Sequence, residues 1–406
     1  MRTRHSVFTI LILLLSSSAA RADVISDWVE AAKAIAEELQ AMPGGRMTIT
    51  TLDSQVALAM FEAVNAIDRR YDSYLGIPAS TAPASQQVAA SVAAHVVLKA
   101  VVPARAAVFD AALAFNLGQV PDGPAKTAGE AIGRAAAEAV LQRELFDAAQ
   151  PVPNYRPRTA PGVYVPTTMP GLPLSAYVAR PWFLKTPTEV QPGPIPPLTS
   201  EQYARDVEEV RKIGGRRSSE RTSAQTAAAT FWAGNRTDLA ARLLTNRPGR
   251  SLVANARFYA LRELALDDQA TAVSIAKYDA AFWRPITAIR NADQDGNANT
   301  GLDPAWEPLL ATPPFAEYPC GHCIAAATIA ALFEAEFGGD ARLTFLDPTL
   351  PGASQTLTPK EYVREVSMSR IYAGVHFRFS NDAAEEMGWR IGRLALERCL
   401  KPLPRE

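Results

Sequence analysis

Three short stretches in the C-terminal half bring together the residue types that hold an oxyanion and move a proton. The first is Lys277-Tyr-Asp-Ala-Ala-Phe-Trp-Arg284-Pro285, two cations seven residues apart in a segment of helical periodicity that Pro285 should end or kink. Seven residues are nearly two helical turns, which would set both side chains on one face about 10 Å apart along the axis, within reach of one small anion. Arginine would bring a planar fork of donors and lysine a compact charge. Alone, the pair reads as a solvated basic stripe. The second stretch is Pro319-Cys320-Gly321-His322-Cys323, directly before the apolar run from Ile324 to Phe333. A helix should begin there. Its unpaired N–H groups favour an anion, Gly321 lets backbone come close to a ligand, and His322 can exchange a proton. The plainer reading of that histidine is a cap. In the third stretch, Ser369-Arg370-Ile-Tyr-Ala-Gly-Val-His376, six residues would put Arg370 and His376 on different faces of an unbroken helix. Gly374 offers the break that lets His376 turn toward the anion Arg370 would hold.

Taken together, K-x6-R-P, P-x-G-H and S-R-x5-H follow one another within a hundred residues. This array resembles the signature shared by vanadium-dependent haloperoxidases and type 2 phosphatidic acid phosphatases, including bacterial non-specific acid phosphatases. FWRPITAIR, DGNANTGLDPAW, TPPFAEYPCGHC and SRIYAGVHFRF look like the haloperoxidase branch, as do ALAMFEAVNAIDRRYDSYL and SSERTSAQTAAATFW in the N-terminal half. The resemblance implies an all-α fold of two helical bundles, vanadium chloroperoxidase or acid phosphatase-like, with the pocket in the C-terminal one. It implies that Lys277, Arg284 and Arg370 neutralise the oxygens of vanadate or phosphate, with the Gly321 amide and Cys320 as further donors. It makes His376 the axial ligand of vanadium in a haloperoxidase, or the nucleophile that becomes phosphohistidine in a phosphatase. His322 is the acid–base group in either, and Phe315 and Trp283 are candidates for a halide pocket. The substrates would be halide and hydrogen peroxide with vanadate as cofactor; the alternative is a phosphomonoester with no cofactor. Two departures stand out. Cys320 occupies the place where the family usually has serine, and a thiol is a weaker donor that peroxide can oxidise. Ser380 stands where the fungal chloroperoxidase-like pattern has an aspartate, with Asp382 close but out of register.

Composition excludes some classes. A formal charge of -1 leaves no basic tail for nucleic acid and no polybasic membrane patch. Arg2 and Arg4, the apolar run Val7 to Leu15 and the triplet Ala20-Arg21-Ala22 read as an export signal over residues 1–22, cleaved before Asp23. No other stretch approaches the ~20 apolar residues of a membrane anchor. An exported, periplasmic or secreted protein is therefore expected; its oligomeric state is not legible. Three cysteines, Cys320, Cys323 and Cys399, are too few for a disulfide framework, and a Cys320–Cys323 pair stays open. Cys320-Gly-His-Cys323 also reads like the active-site tetrapeptide of a disulfide isomerase, but the strand a thioredoxin fold needs before it is missing. Asp293-Gln-Asp295-Gly-Asn297 fails as a calcium loop, because Ala298 and Pro304 stand where an EF-hand needs glycine and glutamate. His95 reads as a packed helix residue, and Cys399 as buried and inert in a final helix.

The elements that must position these residues are helices. Apolar residues recur at three- and four-residue spacing over Trp28 to Met42, Asp53 to Ile67, Gln86 to Val101 and Thr127 to Leu145, an N-terminal bundle within residues 23–150. Residues 151–198 carry thirteen of the thirty-one prolines, counted from Pro151 to Pro197, together with Tyr155, Tyr164, Tyr177 and Trp182. That composition forbids a long helix but offers anchors, so an ordered connection wrapping a helical body is expected. The catalytic bundle should span 199–406, with helices opened by a capping box at Thr199 and Gln202, then over Ala224 to Trp232, Ser251 to Leu264 and Asp268 to Arg284. A second box at Thr358 and Glu361, with Pro359 at the first helical position, starts the helix that carries Arg370.

Overall fold

Residues 23–40, 51–143, 159–166, 180–234, 237–347 and 352–404 are described by a computed structural model. The export signal lies outside them. In chain order the helices are α1 (Val24–Gln40), α2 (Leu52–Ile67), α3 (Gln86–Val101), α4 (Ala106–Gly118), α5 (Pro124–Leu141), α6 (Glu201–Ile213), α7 (Ser223–Phe231), α8 (Thr237–Thr245), α9 (Leu252–Ala280), α10 (Pro285–Arg290), α11 (Gly321–Phe337), α12 (Pro359–Tyr372) and α13 (Arg378–Arg398). The architecture is all-α. No single helix among the described residues is long and apolar enough to cross a membrane.

The chain divides into two units that are not contiguous in sequence. The first takes residues 1–146, 240–267 and 395–406, and the second takes 147–239 and 268–394. The contiguous partition at 150 and 198 expected above therefore differs from the grouping in space, where the start of α9 and the chain end pack with the N-terminal helices. In the first unit α2 is buried on nearly every side, and α3 lies against α5. Gly129 makes that approach close, since a Cβ there would stand 2.7 Å from the Ser85 carbonyl oxygen.

In the second unit the apolar α11 is central, packed against α12 and crossed by α13. Gly388 and Gly392 permit the crossing: Cβ atoms there would come within 2.8 Å of Ala327 Cβ and 2.6 Å of Ala331 Cβ. Phe282, Trp283, Tyr318, Ile371 and Phe377 meet Tyr203, Val207, Val210 and Trp306 in one buried apolar cluster.

Several expectations change. Two helices were expected across residues 251 to 284, but α9 runs unbroken through Asp267 and Asp268. Asp268 does not cap a new helix; its buried carboxylate accepts from the N–H groups of Trp182, Phe183 and Leu184 at 2.7, 3.0 and 3.0 Å. Within the described part of the Pro-rich segment, residues 182–184 are thereby tied to the helical body through their backbone. The cap of α6 is Ser200, whose side chain accepts from Tyr203 N, one residue after the expected Thr199. The Thr358–Glu361 box and Pro359 at the first position of α12 are both present. A two-stranded antiparallel hairpin, β1 (Leu343–Leu346) with β2 (Ser354–Leu357), was not read, because four-residue strands carry too short a pattern.

Candidate oxyanion site

The helix expected to carry both Lys277 and Arg284 ends between them. α9 stops at Ala280, Ala281 takes a left-handed φ of 42°, and Phe282 pairs with Val163 as a β-bridge. Arg284 is then the extended N-cap of α10, with Pro285 at its first position. The cations thus converge through a turn of the chain and not along one helical face. The break at Gly374 is as read: α12 ends at Tyr372, Gly374 has φ 77°, and His376 follows before α13. Each polar residue is held by its neighbour in sequence. Trp283 beside Arg284, Tyr318 beside Glu317, Ile371 beside Arg370 and Phe377 beside His376 all belong to the same apolar cluster, so the polar ends are presented from a packed wall.

Lys277, Arg284, Arg370, Glu317 and His376 are all buried. Lys277 Nζ donates to the carbonyls of Ala316 at 3.2 Å, Glu317 at 2.7 Å and Pro319. All three ammonium donors are thereby given to the loop before α11, so Lys277 orients that loop and contributes charge. Arg284 donates from Nε to Phe315 O at 2.8 Å, and from Nη1 to Val375 O at 2.9 Å and His376 Nε2 at 3.2 Å. Its Nη2 is buried with no partner. Arg370 donates from Nε to Ser369 Oγ at 3.0 Å and from Nη2 to Ala229 O at 3.2 Å. The ring of Phe315 lies 5.4 Å from Lys277 Nζ and 5.0 Å from Arg284 Cζ, a cation–π contact with both.

His376 has a defined tautomer. Arginine has no acceptor, so the Arg284 contact makes Nε2 the lone-pair nitrogen, and Nδ1–H donates to Glu317 Oε1 at 2.7 Å. Burial, followed by the charges of Arg284 and Lys277, holds the imidazole well below the ordinary histidine pKa, which keeps that lone pair free of a proton. Burial likewise lifts Glu317 to about 7, opposed by Arg284 and Lys277. It lowers Arg284 and Arg370 each to about 10, and it lowers Lys277 with help from Arg284.

His322 occupies the second position of α11 and opens to solvent, its Nε2 3.4 Å from Ala233 O. Surrounding protein and then Arg370 push its pKa below the ordinary value. Gly321, at the helix start, leaves room beside Lys277: a Cβ there would touch Lys277 Cε at 3.8 Å. The cluster suits a tetrahedral oxyanion such as vanadate. Three buried cations face one buried carboxylate, and a guanidinium nitrogen lacks a partner, a combination an anion would relieve.

Residues 257–403 match the model of the VCPO second helical-bundle domain. The whole fold is like that of a bacterial vanadium-dependent iodoperoxidase, with TM-score 0.78 and 19% identity over 96% of this chain and 99% of that one. It is also like the apo and holo forms of a bacterial vanadium-dependent chloroperoxidase, each at TM-score 0.67 and 18% identity. These cover 89% and 88% of this chain, and 96% and 93% of the other. No curated protein matches the sequence. The chain thus carries a VCPO-type second helical-bundle domain over residues 257–403 and has the fold of bacterial vanadium-dependent haloperoxidases.

Against the residues expected at this site, the structure makes two changes and one addition. Cys320 does not offer a thiol, because it is joined to Cys323 in a disulfide across the first turn of α11. A half-cystine has no S–H, so the donor role is lost; instead Cys320 Sγ accepts from Cys323 N at 3.2 Å as the helix cap. Trp283 belongs to the apolar cluster and only Phe315 of the expected halide pair lies against the cations. The addition is Glu317, a residue the motifs pass over. Its one legible signal was a carboxylate inside the otherwise apolar stretch TPPFAEYPCGHC, two residues before the Pro-x-Gly-His block.

Proposed function

We propose that this protein is a vanadium-dependent haloperoxidase that oxidises halide with hydrogen peroxide. The observation that carries the reading is the neutral His376 imidazole, its lone pair beside the unpartnered Arg284 nitrogen in a pocket of buried cations. Arg284, Arg370 and Lys277 would hold vanadate by charge, and His376 Nε2 would ligate it. Vanadate, when bound, supplies the Lewis acid that activates peroxide toward halide. His322, exposed at the mouth and neutral near pH 7, takes and returns the proton at its ring. Glu317 fixes the tautomer and orientation of His376, as outer carboxylates do for ligating histidines. The disulfide favours the peroxidase over the phosphatase reading, since it leaves no free thiol beside a site that would consume peroxide. Together with the signal-like segment, it supports an exported, periplasmic or secreted protein.

The test is to load the purified protein with orthovanadate, remove the excess, and measure bound vanadium together with iodide and bromide oxidation. We expect vanadium in the protein, peroxide-dependent halide oxidation, and loss of both in His376→Ala. Hydrolysis of nitrophenyl phosphate without halide oxidation would overturn the proposal in favour of an acid phosphatase.

A further inference from the structure

Beside the cation cluster lies a pocket of about 220 Å³ with a different character. Its walls include Trp232, Tyr362, Ile329, Val366 and Ala325, and it reaches the oxyanion site only at Gly321 and His322. Among the described residues, no Lys, Arg, Asp or Glu side chain lines it. The chemistry is set by three elements. α11 contributes small and aliphatic residues one and two turns beyond His322, and α12 contributes Tyr362 and Val366. Trp232, at the end of α7, is braced edge-on by Phe231 at 4.8 Å and Phe345 at 5.0 Å, and tilted against Tyr362 at 5.4 Å.

We infer that this pocket binds a neutral aromatic molecule of one or two rings, held next to His322, and that this molecule accepts the halogen. The lining of described residues is apolar apart from His322 and favours a neutral ligand, because a charge brought against it would lose its hydration without a counter-ion. The volume lies below the roughly 300–1,000 Å³ of pockets for drug-sized ligands, which limits the occupant to a small ring system. A neutral ring, such as a phenol or naphthol, would pack on Trp232 and Tyr362.

The halogen-transfer part rests on the proposed peroxidase activity. Peroxide, halide and a proton give hypohalous acid and water. The ring carbon then takes the halogen as the oxygen–halogen bond breaks, and the hydroxide released removes the ring proton as a second water. Holding the acceptor at the mouth of the oxidising site would make this step saturable and selective for one ring position.

The probe is 2-naphthol, titrated calorimetrically into the full protein with and without vanadate. We expect one saturable site. Ala325→Phe, which fills the pocket from a partly exposed position, should weaken naphthol binding at least tenfold while vanadate affinity is unchanged. Ala325→Leu should give an intermediate loss and decides the matter if the phenylalanine variant does not fold. With halide and peroxide, naphthol halogenation should saturate with naphthol in the wild type and become linear in Ala325→Phe, while triiodide formation stays the same. Absence of saturable binding, or binding indifferent to both substitutions, would overturn the pocket. Naphthol binding with no halide oxidation would instead overturn the peroxidase reading and, with it, the halogen transfer, leaving the binding site in place.

Discussion

Arg284 is the residue on which the site turns, because it touches both the His376 imidazole and the loop and still has a buried nitrogen to give. Arg284→Ala should cost vanadate affinity tenfold or more, the loss expected when one partner of a desolvated charge contact is removed. Arg284→Lys should recover only part, since an ammonium cannot bond Phe315, Val375 and an anion with the geometry of a planar fork. Equilibrium vanadate titration of the two variants checks this; equal affinity in alanine and wild type would remove Arg284 from the anion site. Lys277 behaves differently from the simple reading of a free anion clamp. Its ammonium is consumed by three carbonyls, so its replacement should loosen the Ala316–Pro319 loop as well as reduce charge.

At the scale of elements, the site depends on how closely α11 and α13 approach, because α11 begins at Gly321 and His322 while α13 begins just after His376. Gly388→Val would drive two methyl groups into the Ala327 contact, where a bare Cβ already comes to 2.8 Å. Overpacking of this kind costs roughly 1–3 kcal/mol. We expect a lower melting temperature together with weaker vanadate binding, because separating the helices also displaces the α11 N-terminus. A thermal scan paired with a vanadate titration reads both, and an unchanged melting temperature would show that the crossing is not tight. The Cys320–Cys323 disulfide closes the first turn of α11 and so acts on the same helix end.

For the whole molecule, the buried pair Glu317 and His376 makes stability depend on pH in two opposing ways. Glu317 is raised in the folded state from 4.5 to about 7 by burial, so its contribution is fully present below pH 4.5 and is lost as pH rises toward 7. His376 is lowered, so its contribution is present above about pH 6.5 and is lost as pH falls below that. Glu317→Gln removes the first dependence. In vanadate-free protein its melting temperature should therefore gain on the wild type as pH is raised from 5 to 7.5, and a pH-independent difference would argue that burial does not raise the Glu317 pKa. Vanadate at a hundred times its dissociation constant should stabilise the wild type by about 2.7 kcal/mol, which a melting shift would report.

What could be read from the chain alone was whatever is encoded locally. The Thr358–Glu361 box, the glycine break before His376 and the helix start at Gly321 depend on a few adjacent residues, and each is found where the residue types require it. The three blocks whose residues converge at the candidate site were legible for the same reason, as short patterns of cations, glycine and histidine. The tertiary structure decided everything that depends on partners distant in sequence. Asp268 turned out to be the anchor of Trp182 to Leu184, which merges two expected helices into α9. Lys277 and Arg284 meet through a left-handed turn at Ala281, a conformation alanine's own preferences disfavour and only surrounding packing can impose. Glu317 acquired its role because burial brings it within 2.7 Å of a histidine 59 positions away, and no local pattern records such a distance.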